Sequence, residues 1–423
     1  TMMPQLAPHI LPQKVLVSKP FSTYHMLHHL SHERPDDVIL PYCPSLSMVK
    51  AAILEDVRKL KVVDYPEPEV EPNGFLMKME LCGVCGTDMH LYEGNMNIPF
   101  PVIPGHEWVG VIEEIGEEAK GYEVRGQGLD VGNRVVVVPG TNRYCGECYF
   151  CRFMPHKPTL CTGRKVMGVN MTSAEKPHLL GGWAEKVYVN AEKFWVYKVP
   201  DEVTPEVAVL SEPMAVSSRA LERAYAPGMP TFGEGFGVGQ SVVVQGAGAI
   251  GLLAIATAKL AGAGNIISVD MVDERLTMAE KLGADHFIDM RQMKTAEERV
   301  KEVQRLTNGL GGDVVIEAVG VPAAVPEGID MTRRGGKYVE VGHYTNPGPV
   351  LINPHTICNK DMDILGSWTY PPTQFGTVLD LMRLAADRLP LDEIVTHKFH
   401  VSDAQKSIDT LKERKGIKHA LTG

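Results

Sequence analysis

The sequence predicts an α/β protein in two parts, a β-rich lobe followed by a doubly wound parallel sheet. Three observations carry that prediction. From Met48 to about Pro200, short apolar or alternating runs (FLMKMELCGVC, WVGVIEEIG, GNRVVVVPG, WAEKVYVNA) are bounded by Gly and Pro turns, as short strands are. From about Thr204 to Trp368, the runs SVVVQG, NIISVD, HFIDM, DVVIEAVG, GKYVEVG and MDILGSW read as buried strands, most of them separated by helical stretches. That alternation is the mark of a parallel sheet with crossover helices. Finally, a G-x-G-x-x-G opens a long apolar helix directly after the first of these strands.

Taken in order, residues 1–47 read as an extension outside the folded body. They are rich in Pro and His, with HMLHHLSH at the centre and no strand alternation. Lys14, Lys19 and Arg34 balance Glu33, Asp36 and Asp37, which does not suit an acid-poor transit peptide, and no signal-type apolar core is present. Met48 opens the first part, expected over 48–205 and completed by 369–423. The second part is expected over 206–368. Ala226–Gly239 (APGMPTFGEGFGVG) is a Gly/Pro-rich loop before the first sheet strand. After Trp368, QFGTVLDLMRLAADRL predicts a helix and then a return to the first lobe.

Composition narrows the function classes. The 423-residue chain has 44% hydrophobic and 22% charged residues, ordinary for a globular protein. Its formal net charge is -10 and no basic run is long enough for a phosphate stripe. Nucleic acid and anionic membranes are therefore not expected partners. Gly246–Ala258 is too short for a membrane span and ends at Lys259. The eight cysteines suit reduced thiols of a cytoplasmic protein better than a disulfide framework, since four cluster at metal spacing.

Those four are Cys145, Cys148, Cys151 and Cys161 in CGECYFCRFMPHKPTLC. Short C-x-x-C turns deliver thiolates to one zinc ion, and four thiolates close its tetrahedron with no open position, so this ion is expected to be structural. A second metal is expected from C-G-T-D-x-H (Cys85, Thr87, Asp88, His90) and GHE (His106, Glu107), with Glu212 in LSEPMAV as a further candidate ligand. A thiolate, an imidazole and a carboxylate leave zinc an open position for chemistry. Taken singly, Cys85 and His106 have structural readings, as a buried small hydrophobe and a hydrogen-bonded core residue, and Glu107 could form only an ion pair. Cys82, in CGVC, reads as packing.

In the fingerprint, Gly246 allows the tight turn, Gly248 lets the backbone approach a pyrophosphate, and Gly251 lets the helix pack closely on the strand. Ala249 and Ile250 lie inside it. Asp270 ends the next strand, where a carboxylate accepts from both adenosine ribose hydroxyls and repels a 2′-phosphate, so NAD is expected over NADP. Arg275, one helical turn on, either weakens that preference or covers the adenine.

These motifs, in this order, resemble the zinc-dependent medium-chain dehydrogenase/reductase superfamily from about Met48 to the C-terminus. The Glu-Pro pair at Glu212 resembles its polyol (sorbitol-type), butanediol and threonine dehydrogenase branches. The resemblance implies a GroES-like catalytic domain and a Rossmann cofactor domain, two zinc ions per subunit and NAD. It implies an alcohol dehydrogenase acting on a polar secondary alcohol or polyol and giving the ketone. Cys85, His106 and Glu212 or Glu107 would hold the catalytic zinc, the two glutamates exchanging during turnover. Zinc would act as a Lewis acid on the substrate hydroxyl. Thr87 would pass the proton through the cofactor ribose to His90, and Asp88 would orient His106. Val341, Gly342 and His343 would meet the nicotinamide, with Ser367 and Trp368 nearby, although a core tryptophan is the simpler account of Trp368. A homodimer or homotetramer is implied.

The chain departs from the family pattern in the longer gap between Cys151 and Cys161, in the N-terminal extension, and in the Ala226–Gly239 loop. A longer loop closes at little entropic cost, so zinc is still expected in the four-cysteine lobe. Two other readings remain: a ketone or aldehyde reductase working mainly in reverse, and a non-catalytic NAD- or zinc-binding sensor. A zinc-free quinone reductase is disfavoured by Cys85 with His106.

Overall fold

The computed structural model describes residues 47–141, 145–225 and 236–423. The extension (all but its last residue) and residues 226–235 of the Gly/Pro-rich loop lie outside the described residues.

The β-rich lobe starts with an antiparallel pair, β1 (Met48–Asp56) and β2 (Lys59–Pro66). Then come β3 (Gly74–Val84), β4 (Glu107–Ile115), β5 (Arg134–Val137), β6 (Lys186–Asn190) and β7 (Val196–Lys198). β3 is buried along most of both faces, which explains its run of Phe75, Leu76 and Met77 where a half-buried strand would alternate. Its neighbours β4 and β6 are antiparallel to it.

The second sheet holds β8 (Ser241–Gln245), β9 (Asn265–Asp270), β10 (His286–Asp289), β11 (Gly312–Glu317), β12 (Thr332–Glu340) and β13 (Asp363–Gly366). Its order is β10-β9-β8-β11-β12-β13 and every pairing is parallel. This is the doubly wound arrangement, with its topological switch between β8 and β11. Ligands of such sheets bind outside the carboxyl ends of the strands at that switch.

The chain then forms the helix Gln374–Ala385 and returns through β14 (Val395–His400) and β15 (Lys418–Thr422). β15 pairs antiparallel with β3, giving the order β14-β15-β3-β4-β5-β7 with β6 also on β3. The last strand of the chain thereby lies beside the strand that leads to Cys85. One hydrophobic cluster joins Leu81, Val109 and Val136 of the lobe to Val242, Val244 and Ile316 of the parallel sheet, with Met214 and Leu221 of the helix Ser211–Arg223 between them. That helix carries Glu212 at its first turn. Among the described residues no helix is long and apolar enough to cross a membrane.

Candidate active site

Strand register builds the first cluster. Gly83 of β3 pairs with Glu107 of β4, so Cys85, just past the end of β3, and His106, just before β4, emerge at the same end of the strand pair. Ligand atoms of Cys85, His106 and Glu107 lie within 4.8 Å of one another. A Cβ at Gly83 would sit 2.2 Å from Glu107 Oε2, so only glycine leaves room for this carboxylate. Asp88 is fully buried. Its Oδ2 accepts from the Cys85 N–H at 2.8 Å and its Oδ1 from the Gly105 N–H at 3.1 Å, which ties the two ligand-bearing segments together. Asp88 Oδ1 stands 3.6 Å from His106 Nδ1, beyond hydrogen-bond length, so it acts on the backbone more directly than on the ring.

His106 and Glu107 are 6% and 1% exposed, yet His106 Nδ1 and Glu107 Oε1 have no hydrogen-bond partner. Orphaned buried polar atoms cost about 1–3 kcal/mol each. A zinc ion would fit this donor set of thiolate, imidazole and carboxylate and would relieve the deficit at Glu107. Glu107 Oε2 forms an ion pair with Lys418, itself 3% exposed. Burial works to lower the His106 pKa, but Asp88 and Cys85 outweigh it and hold the ring well above its usual range.

Glu212 stands outside this close triad. Its Oε1 accepts from the Tyr370 hydroxyl at 2.8 Å, and burial raises its carboxyl, while His106 opposes that rise. The Tyr344 ring stacks on Trp368, with centroids 5.1 Å apart and planes at 15°. Trp368 is 49% exposed, which corrects the core-tryptophan reading: the strand ends at Gly366 and the next turn carries the indole out of the core.

Thr87 Oγ1 lies 3.7 Å from Cys85 Sγ. His90 Nδ1 faces the Asn95 side-chain amide at 3.2 Å, and its Nε2 faces Thr345 Oγ1 at 3.3 Å. The amide N–H can only donate, so Nδ1 accepts and Nε2 carries the hydrogen. Burial lowers the His90 pKa, which favours the neutral ring. Thr345 follows β12, so this contact joins the lobe to the loop beyond the parallel sheet.

The four-cysteine lobe is a second cluster. Sulfur pairs stand at 3.9 Å (Cys145–Cys151), 3.5 Å (Cys148–Cys151) and 3.6 Å (Cys145–Cys161). Four sulfurs around one zinc at about 2.3 Å would be about 3.8 Å apart, so the set fits the ion. Between Cys151 and Cys161 a 3-10 turn, Pro158–Leu160, leads directly into Cys161, which joins the cluster. The N–H groups of Cys151 and Thr162 hold the Cys148 thiol down at about 6, while burial pushes Cys151 up to about 12. Such a spread is expected where ionising one thiol opposes the next, and a cation removes that opposition.

The glycine loop is shaped as the fingerprint requires. Gly246 has φ +88°, in the left-handed region, and a Cβ at Gly251 would lie 1.8 Å from the Gly246 carbonyl oxygen. A Cβ at Gly248 would meet nothing, so that side of the loop is open. Ala249 begins the helix Ala249–Leu260, and the Ile250 carbonyl accepts from Ser217 Oγ at 2.8 Å. Asp270 accepts from the Ala247 N–H at 2.7 Å and from the Met271 and Val272 N–H groups at 2.7 and 2.9 Å. A carboxylate offers roughly four acceptor sites, so about one remains for a ribose hydroxyl. Asp270 therefore also braces the glycine loop. Arg275 Nε is buried without a partner.

At the ends of β11 and β12, the Val341 and Gly342 N–H groups donate to the Glu317 carbonyl at 3.2 and 3.0 Å. His343 Nδ1 stands 2.8 Å from Glu340 Oε1. The Ser367 N–H donates to the Glu340 carbonyl at 2.9 Å, leaving its buried hydroxyl unpartnered. Lys418, Tyr370, Tyr344, Thr345, Glu317 and Glu340 belong to no sequence motif. Only the strand-end positions of the two glutamates are legible in the sequence.

Residues 71–201 match the family model for the alcohol dehydrogenase GroES-like domain, and residues 249–383 match that for zinc-binding dehydrogenase. The chain is 30% identical over 379 residues to 5-exo-hydroxycamphor dehydrogenase of Pseudomonas putida, covering 89% of this chain and 99% of that one. It is 32% identical over 363 residues to a sorbitol dehydrogenase of Halalkalibacterium halodurans, covering 85% and 95%. The solved alcohol dehydrogenase of Thermotoga maritima superposes with a TM-score of 0.80 at 28% identity, covering 89% and 99%. Two further solved structures hold cofactor. A Sinorhizobium meliloti protein bound to NADP has a TM-score of 0.76 at 27% identity, covering 89% and 100%. An Escherichia coli alcohol dehydrogenase in complex with NADH has a TM-score of 0.71 at 27%, also covering 89% and 100%. With its β-rich lobe, its doubly wound sheet and the donor sets between and beside them, the chain belongs to the zinc-dependent alcohol dehydrogenases of the medium-chain dehydrogenase/reductase superfamily, oxidoreductases acting on CH–OH donors.

Proposed function

We propose that the protein oxidises a polar secondary alcohol or polyol to the ketone, with NAD accepting the hydride. The convergence of Cys85, His106 and Glu107, with buried unpartnered atoms on two of them, carries this reading. These three would hold the catalytic zinc, with Glu212 standing by as the exchangeable carboxylate. When bound, zinc supplies Lewis acidity that brings an alcohol hydroxyl toward neutral pKa. The Thr87 hydroxyl holds the substrate proton, and neutral His90, with its Nε2–H on Thr345, stands at the outer end of the exit route. Tyr370 holds Glu212 in place through its hydroxyl. A carboxylate at Asp270 favours NAD over NADP. The likeness to a sorbitol dehydrogenase supports a polar substrate.

In this reading residues 48–205 with 369–423 form the catalytic domain and 206–368 the cofactor domain. A second zinc in the four-cysteine lobe makes two per subunit. β13 is an outer strand of the parallel sheet, and its edge, unpaired among the described residues, suits pairing with a second copy in a homodimer or homotetramer. Clustered thiols suit the reducing cytoplasm. The test is a panel of secondary alcohols, polyols and hydroxy-amino acids scored by NADH absorbance, beside a metal count. Two zinc ions with alcohol-dependent NADH formation support the reading. Fully zinc-loaded protein that reduces neither NAD nor NADP with any alcohol overturns it.

A further inference from the structure

A third cluster lies apart from both thiolate sites. Glu317 and Glu340 are paired in register at the carboxyl ends of the parallel strands β11 and β12, and His343 turns back toward them. Glu317 is fully buried. Its Oε1 accepts from the Val319 and Gly320 N–H groups at 2.8 Å each, but its Oε2 accepts no hydrogen bond. That oxygen faces His343 Nδ1 at 3.4 Å, while Nδ1 is closer to Glu340 Oε1, at 2.8 Å. Glu340 Oε2 accepts from the Tyr338 hydroxyl at 2.9 Å.

Charge balance is the difficulty. Among the described residues the ion-pair partner of both carboxylates is His343, with no Lys or Arg beside them. Two adjacent carboxylates, one of them fully buried, do not both ionise without a cation or a shared proton. Once the His343 Nδ1 hydrogen, now donated to Glu340 Oε1, is displaced, Glu317 Oε2, Glu340 Oε1 and His343 Nδ1 would each offer a lone pair, and such ligand atoms of the three residues lie within 4.8 Å of one another.

We propose that Glu317, Glu340 and His343 form a third metal site, taking a divalent transition-metal cation through two carboxylate oxygens and one imidazole nitrogen. Carboxylate and imidazole together suit zinc or manganese, and no thiolate is present to exclude the harder ion. The site also has a structural consequence. A Cβ at Gly342 would sit 2.4 Å from Glu317 Oε2 and 2.5 Å from the Gly320 nitrogen, so Glu317 lies directly against the two glycine turns that leave β11 and β12. A cation there pins both turns at the cofactor edge of the sheet.

The test uses the full chain with both thiolate-containing sites loaded with Zn2+, titrated with Mn2+ and followed by the EPR signal of free Mn2+. One Mn2+ should bind per chain, or be excluded by a third Zn2+ that metal analysis counts. Glu317→Gln and His343→Asn should weaken that binding by about tenfold or more, or remove the third Zn2+. Glu340→Gln gives a second carboxylate variant should Glu317→Gln fail to fold. Cys85→Ser should leave the third ion in place, which separates this site from the catalytic one. Equal metal content and Mn2+ affinity in wild type and the folded variants would overturn the proposal. So would absence of any third ion, which leaves a protonated His343 bridging the two carboxylates.

Discussion

Lys418→Met isolates one buried charge. Lys418 and Glu107 are 3% and 1% exposed, and their ion pair lies inside the β-rich lobe. Methionine is close to lysine in length and flexibility, so the packing change is small. The main effect is a buried carboxylate stripped of its counter-charge, which costs about 3–5 kcal/mol. At about 1–2 °C per kcal/mol for a body of this size, melting of the zinc-free protein should fall by roughly 3–10 °C. Zinc in the Cys85–His106–Glu107 cluster restores a cation beside Glu107, so the loss should be smaller in zinc-loaded protein. The assay is thermal unfolding by circular dichroism, with free zinc held fixed because a bound ion stabilises by mass action. Glu107→Gln combined with Lys418→Met removes both charges and should recover most of the stability, a coupling read as a double-mutant cycle. A single variant within about 1 kcal/mol of wild type without zinc, or a double variant no better than the single one, refutes the reasoning.

Other variants probe the remaining parts. Thr87→Val should lower turnover by about 10²–10⁴-fold with cofactor affinity nearly unchanged; normal turnover would remove Thr87 from the proton route. Gly251→Ala places a Cβ 1.8 Å from the Gly246 carbonyl oxygen, so the glycine loop must shift and cofactor affinity, measured by titration calorimetry, should fall. Cys148→Ser should reduce zinc content by one ion and leave the Cys85 site loaded; unchanged zinc content would argue against the closed thiolate site. For Asp313, burial works to raise the pKa, but Ser241 and Arg333 outweigh it and hold the carboxyl below its usual range. Its stabilising contribution is therefore present above the unfolded pKa of about 4 and lost as pH falls through the folded value. The stability gap between wild type and Asp313→Asn should shrink as the solution is acidified, and a gap constant with pH would contradict this.

Much of the architecture was readable because its signals are local. SVVVQ and NIISVD are buried strands by composition alone, and Gly246 and Gly251 sit where a strand turns into a helix. Cys85, His106, Glu107 and the four lobe cysteines stand out by residue type and spacing, since zinc selects thiolate and imidazole. The MDILGSW run reads as a buried strand, which would carry its indole into the core, but β13 is an edge strand with Ile364 42% exposed, and Trp368 just beyond it is exposed as well.

By itself the sequence determined which segments are strands and helices, where a dinucleotide loop lies, and which side chains can bind metal, because each depends on neighbours a few residues apart. Only the tertiary structure decided which charges meet. Lys418 in the last strand reaches Glu107 because β15 pairs beside β3, Tyr370 donates to Glu212 from 158 residues along the chain, and Glu317 faces Glu340 because β11 and β12 run in register. A buried charge is balanced by whatever the fold brings within a few ångströms, and strand register sets that, not distance along the chain.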